Sequence, residues 1–225
     1  MKKKIALLMA AVMLFGVTVG ATIAWLTDET ENVVNTFTVG DVQIELDEED
    51  VDFDTDTNSG DITTSGRDKA NVYHLIPGKS YVKDPTVHTL EDNENAYLFV
   101  KVENGIADIE APSVEGGYQN IEAQMIANGW VETDVENVWV YGATVDRVIS
   151  ATSVPAEQDK VVFSNFKIAD TVLRGNKVNS DDSNKYIADY TAKDITIKAY
   201  AIQVEGIVST DINGMLVALG LKASA

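Results

Sequence analysis

Apolar and polar residues alternate with a period of two from Val42 to Asp47, where Val42, Ile44 and Leu46 are separated by Gln43, Glu45 and Asp47. An extended chain with that pattern has one face to bury, which predicts a first strand over Thr36–Leu46. Ala96–Val102 (AYLFVKV) predicts a central strand, and Asp194–Val204 predicts the last long one. Between them, Val72–Ile76 reads as a short strand ending at the Pro77-Gly78 turn. Thr86–Leu90 reads as a strand opened by Pro85, and Glu91–Asn95 as a polar turn. Trp130–Thr133 and Val138–Tyr141 predict a hairpin across Asp134–Asn137. Val161–Ile168 alternates less cleanly, with Phe163 and Phe166 as core anchors. Two stretches change period. Asn120–Asn128 reads as a helix with Ile121, Met125 and Ile126 on one side and Gly129 as its stop, and Ile212–Leu221 reads as a short terminal helix. Asn176–Lys185 is a polar loop. The pattern is that of a β-rich domain with short helices carried on its connecting loops.

Residues 1–24 fall outside this pattern and have the parts of an export signal. Lys2, Lys3 and Lys4 form a basic start, and Ile5–Val19 forms an apolar core. Two small-residue frames follow, one cutting after Ala21 and the other after Ala24. The alternative is an uncleaved anchor, because Ile5 to Leu26 carries no charge and is long enough to span a bilayer. The folded domain is then residues 25–225 of the 225-residue chain.

Charge and cysteine content narrow the function further. The formal net charge is -19, and removal of the three signal lysines takes it to -22. Such a surface repels nucleic acid and anionic membrane, so neither is an expected partner, and membrane contact is expected only through an uncleaved signal. Cysteine is absent, which rules out a disulfide framework, thiol catalysis and cysteine metal sites.

Candidate chemistry is sparse. The acidic run Asp47–Asp61 reads as a solvated loop. Within it Asp54, Asp56 and Asn58 have the alternate spacing of a calcium loop, but Ser59 and Ser65 stand where that loop needs Gly and Glu. Calcium is thus the one cofactor the sequence suggests. Hydrolytic zinc commonly uses H-E-x-x-H, which is missing. The two histidines, His74 and His88, both fall in expected strands beside the Pro77-Gly78 turn and are the weak candidates for a transition metal. No G-x-S-x-G elbow marks a serine nucleophile, and Gly116-Gly117 is a turn without phosphate-loop context. Trp130, Trp139 and Tyr141 would be either a sugar-binding surface or hairpin core. No catalytic residue emerges.

One set of motifs resembles a known family. A-x-I-A-W-L-T-D at Ala21–Asp28 followed by N-T-F-T-V-G-D-V at Asn35–Val42 is similar to the start of TasA/camelysin-family proteins, which Gram-positive bacteria export with a dedicated SipW-type signal peptidase. Leu75-Ile76-Pro77-Gly78 with Lys83-Asp84-Pro85, Val154-Pro155-Ala156-Glu157 with Phe163, and IKAYAIQVEG at Ile197–Gly206 resemble further family stretches in the same order. The resemblance implies a jelly-roll-like antiparallel β-sandwich, secreted to the cell surface or extracellular matrix as a subunit or accessory of biofilm fibres. It implies assembly by donation of the mature N-terminal segment to the next subunit, through Trp25, Leu26, Phe37, Val39, Val42, Ile44 and Leu46. The partner is then a second copy or a second exported matrix protein. If Thr36–Leu46 is instead the first strand of its own sheet, only Trp25–Val34 remains for exchange. Two other classes stand beside this one: a metallopeptidase, as the camelysin name implies, using His74 and His88, and an adhesin or carbohydrate-binding module using Trp139 and Tyr141.

Overall fold

The computed structural model describes residues 27–29, 42–51, 66–91, 93–145, 148–175, 182–205 and 211–223. The export signal, both cleavage frames at Ala21 and Ala24, and Trp25, Leu26, Phe37, Val39, Asp54, Asp56 and Asn58 lie outside the described residues.

In chain order the strands are β1 (Thr27–Glu29), β2 (Ile44–Glu49), β3 (Arg67–Asp68), β4 (Ser80–Val82), β5 (Thr86–Thr89) and β6 (Ala96–Asn104). After helix α1 (Ile121–Ala127) come β7 (Trp130–Glu132), β8 (Val138–Val145), β9 (Val148–Ala151), β10 (Gln158–Val161) and β11 (Asn165–Lys167). A single 3-10 turn at Ile187–Tyr190 leads into β12 (Ile195–Gln203), and α2 (Ile212–Ala218) follows.

Among the described residues every strand pairing is antiparallel. The larger sheet has the order β1-β12-β6-β8-β7, with β9 continuing along β8, and the smaller has the order β10-β5-β2-β3. A two-stranded ribbon joins β11 to β4. The chain passes from the smaller sheet to the larger between β5 and β6 and back between β9 and β10. The alternation predicts a β-rich domain and the resemblance an antiparallel sandwich, and the all-β antiparallel sheets agree with both.

The sandwich holds together by apolar burial between the sheets. Ile44, Leu46 and Val87 of the smaller sheet belong to one cluster with Leu98, Val100, Val102, Ile197, Ala199 and Ala201 of the larger, closed by Phe163 and Phe166. A second cluster joins Phe99, Val138, Val140, Tyr200 and Ile202 to Met215, Leu216 and Leu219 of the C-terminal helical segment. The larger sheet is therefore buried on both faces. That explains why β6 and β12 read as nearly unbroken apolar runs while β2 alternates cleanly.

The structure corrects four expectations. Residues 47–49 extend β2 and do not begin a loop, because the inward phase of Ile44 and Leu46 continues to Glu48. Val72–Ile76 forms no strand. Its polar groups go elsewhere: the Ile76 amide donates to the Tyr81 hydroxyl at 2.7 Å, and that hydroxyl donates to the His74 carbonyl at 2.6 Å. Residues 161–168 contain the end of β10, a break at residues 162–164 and then β11. On α1, Ile121 and Met125 are buried one turn apart, but Ile126 is 59% exposed because it is rotated about 100° from Met125. The Asn120 side chain caps this helix by accepting from the Ala123 amide, and Gly129 stops it at φ 90°.

Candidate functional site

The segment just beyond the signal forms the edge of the larger sheet. β1 pairs with β12 so that Thr27 lies opposite Ile202, Asp28 opposite Ala201 and Glu29 opposite Tyr200. On its other side β12 pairs with β6 over all nine of its residues. β1 thus covers, among the described residues, three positions of a nine-residue strand. Among the described residues, no strand pairs with Ile195, Thr196 or Ile197 on the β1 side.

Beside that uncovered stretch opens a groove of about 520 Å³, lined by Ile195, Thr196 and Ile197 together with Leu46, Asn71 and Lys83. At its edge a carboxylate is buried. Glu48 is in phase with Ile44 and Leu46 and is 5% exposed, so β2 delivers a charge to the interior. Lys83, also buried, forms an ion pair with it, and Asn71 Nδ2 donates to Glu48 Oε1 at 2.8 Å. A charge taken this far from water needs such partners.

Val42, Ile44 and Leu46 pack into the core of their own domain. Here β2 is a strand of its own sheet, the alternative reading of this stretch, held by β5 with Ile44 opposite Thr89 and Leu46 opposite Val87. Of the expected donor segment, the part N-terminal to Val42 remains.

A second cluster lies on the outer face of the smaller sheet. His88 on β5 has Nε2 2.9 Å from Asp47 Oδ1 and Nδ1 2.6 Å from Asp159 Oδ1. Asp47 also pairs with Arg67, whose Nη1 donates to Asp84 Oδ2 at 3.0 Å. Burial alone would lower the His88 pKa, but the hydrogen bonds and charges of Asp47 and Asp159 outweigh it, and the pKa is raised. The two carboxylates grip opposite sides of the ring and do not converge on one point with it. His74 sits exposed on the non-strand segment. Among the described residues, no group of three His, Cys, Asp or Glu side chains is placed to hold a metal ion.

The hairpin aromatics are core. Trp130 is 1% and Trp139 7% exposed; the Trp130 indole donates to the Val161 carbonyl at 2.8 Å and meets Tyr141 edge-on at 5.5 Å. Tyr141 is half-buried, with the Lys160 ammonium 5.0 Å from its ring centroid. A shallow cavity of about 490 Å³ beside Trp139 is bordered by Glu110, Glu122 and Glu132. Burial raises the Glu110 pKa, against hydrogen bonds from Tyr118, the Ile121 amide and Asn104, and burial together with Glu110 raises that of Tyr118. These bonds tie the loop before α1 to the end of β6, with Tyr118 Oη donating to Glu110 Oε1 at 2.7 Å and Asn104 Nδ2 to Oε2 at 3.1 Å. With three donors on its two oxygens, Glu110 serves as a staple between this loop and β6.

The sequence reading missed Glu48, Arg67, Lys83, Asp84 and Asp159. Glu48 was findable, because the period of two continues through the acidic residues and puts it in phase with Leu46. The others meet their partners only through long-range pairing.

Comparison of the chain with family models, with curated proteins and with solved structures returned no match.

Proposed function

We propose that the protein is a secreted structural protein, a subunit or accessory of extracellular matrix fibres, which assembles by giving its N-terminal segment to the β12 edge of the next subunit. The observation that carries this reading is the position of β1. It begins three residues beyond Ala24, consists of three residues, and sits on the edge of β12, a strand otherwise committed to the core. A short terminal edge strand has few contacts to lose, and an identical strand from a second copy restores every one of them. Donation from each subunit to the next is a head-to-tail contact that need not close, so it builds filaments. The resemblance of residues 21–42 to the TasA/camelysin start supports the same assignment, including export, maturation by a SipW-type peptidase, and a second copy or a second exported matrix protein as partner. The metallopeptidase and sugar-binding readings gain nothing: the His88 nitrogens are engaged by carboxylates, and Trp139 is buried.

Electron microscopy of the chain starting at Trp25, with and without residues 25–34, tests this reading. Filaments are expected from the longer form and not from the shorter. A longer form that stays monomeric, at lowered pH and with divalent cation added to screen its charge, overturns self-assembly.

A further inference from the structure

His88 is fixed between carboxylates of two neighbouring strands, Asp47 on β2 and Asp159 on β10. A neutral imidazole has one N–H. It can donate to only one of these carboxylates, and its bare nitrogen would then face the lone pairs of the other at 2.9 Å or less. Only the imidazolium donates at both ends. We propose that His88 is a pH-dependent latch: as the imidazolium it holds the edge strand β10 on β5, and on losing its proton it lets β10 part from the sheet.

The surroundings favour the charged ring. Glu45 lies directly opposite His88 on β2, beside Asp47, and Asp159 lies opposite it on β10. Arg67 of β3 binds Asp47 and Asp84, and Lys69 lies 3.9 Å from Glu45. Four carboxylates therefore face two fixed cations, and the imidazolium reduces the imbalance. Lys160, the cation on β10, is turned to the Tyr141 ring.

Besides its backbone ladder with β5, the Trp130 indole bond to the Val161 carbonyl and the Lys160 contact with the Tyr141 ring, β10 is secured by few side-chain contacts, and His88 is the one that titrates. Gln158, Asp159 and Val161 are exposed, so side-chain burial contributes little. Thr89 secures one end, accepting from the Gln158 amide at 2.9 Å, and the Val162 amide secures the other, donating to the Pro85 carbonyl at 2.8 Å. His88 holds the middle. Because its pKa is raised on folding, the stabilisation is complete below the ordinary histidine value and is lost as pH rises through the raised one. Release of β10 uncovers the outer edge of β5, a second edge open to strand pairing and separate from β12.

The test is a proton NMR titration of both histidines in the full chain, with His88→Asn identifying the resonance, joined to hydrogen exchange corrected for intrinsic rates. His88 is expected to titrate above about 6.5, and Asp159→Asn to bring it down. Protection of the Gln158, Lys160 and Val162 amides, the alternate ones turned to β5, is expected to fall about tenfold or more across the same titration while that of β12 holds, and to be low at every pH in His88→Asn. A His88 midpoint at or below the ordinary value overturns the latch. So does β10 protection that ignores pH, or a loss that β12 shares equally.

Discussion

Lys83 and Glu48 form an ion pair in the interior, where β2 meets the segment between β4 and β5. Lys83 also has the Tyr73 ring 5.9 Å from its ammonium, and Asn71 takes the second Glu48 oxygen. Lys83→Ala leaves the Glu48 charge uncompensated and is expected to cost about 3–5 kcal/mol in urea unfolding. The Glu48→Leu/Lys83→Met pair is expected to recover most of that loss. A double variant as unstable as the single one would mean that the charges themselves are needed.

Gly142 lies opposite Ala151 across the β8–β9 pair, close to the Ser150 carbonyl. A Cβ there would lie 2.2 Å from the Ser150 carbonyl oxygen and 3.0 Å from the Ala151 Cα, both backbone atoms that cannot swing aside. Gly142→Ala is expected to cost about 1–3 kcal/mol and to raise hydrogen exchange along Val148–Ala151 first. Unchanged exchange there would show that β9 is not held by this close approach.

Trp130 combines full burial with a hydrogen bond to Val161. Trp130→Phe keeps most of the apolar surface and orphans one carbonyl, for an expected loss of about 1 kcal/mol or somewhat more. Trp130→Ala adds a cavity and is expected to cost about 3–5 kcal/mol. Chemical denaturation of the two variants separates the polar from the packing contribution.

Glu110 gives a pH dependence of known sign. Its pKa is raised on folding, chiefly by burial, so the folded state holds the proton more tightly than the unfolded one. Stability should therefore fall as pH rises from the ordinary glutamate value through the raised one. The difference in melting temperature between the wild type and Glu110→Gln should change across that window and be flat above it. A difference that is flat throughout would contradict the assignment.

The long central strands were legible because their apolar runs need no partner to be recognised, and α1 because Asn120 and Gly129 mark its ends. What escaped was whatever depends on distant residues. Acidic residues 47–49 look like a loop until Lys83, Arg67 and His88 are brought to them by sheet pairing. Val72–Ile76 looks like a strand until the Tyr81 hydroxyl takes its backbone groups. The candidate assembly edge was legible in half: the donor lies next to the signal in sequence, but the acceptor, β12, lies more than 160 residues further along and is identified only by its register with β1.

Strand donation is tested most directly by cross-linking through that register. The natural chain has no cysteine, so Asp28→Cys/Ala201→Cys places the only two thiols at positions that are opposite each other across β1 and β12. Antiparallel partners lie about 4.5–5.5 Å apart between Cα atoms, a spacing that a disulfide bridges. Oxidation under assembly conditions, followed by a non-reducing gel, is expected to give a ladder of covalently linked subunits that collapses to monomer on reduction. A single band of internally bridged monomer, with no ladder at any concentration, would contradict donation and leave β1 as the permanent edge of its own sheet.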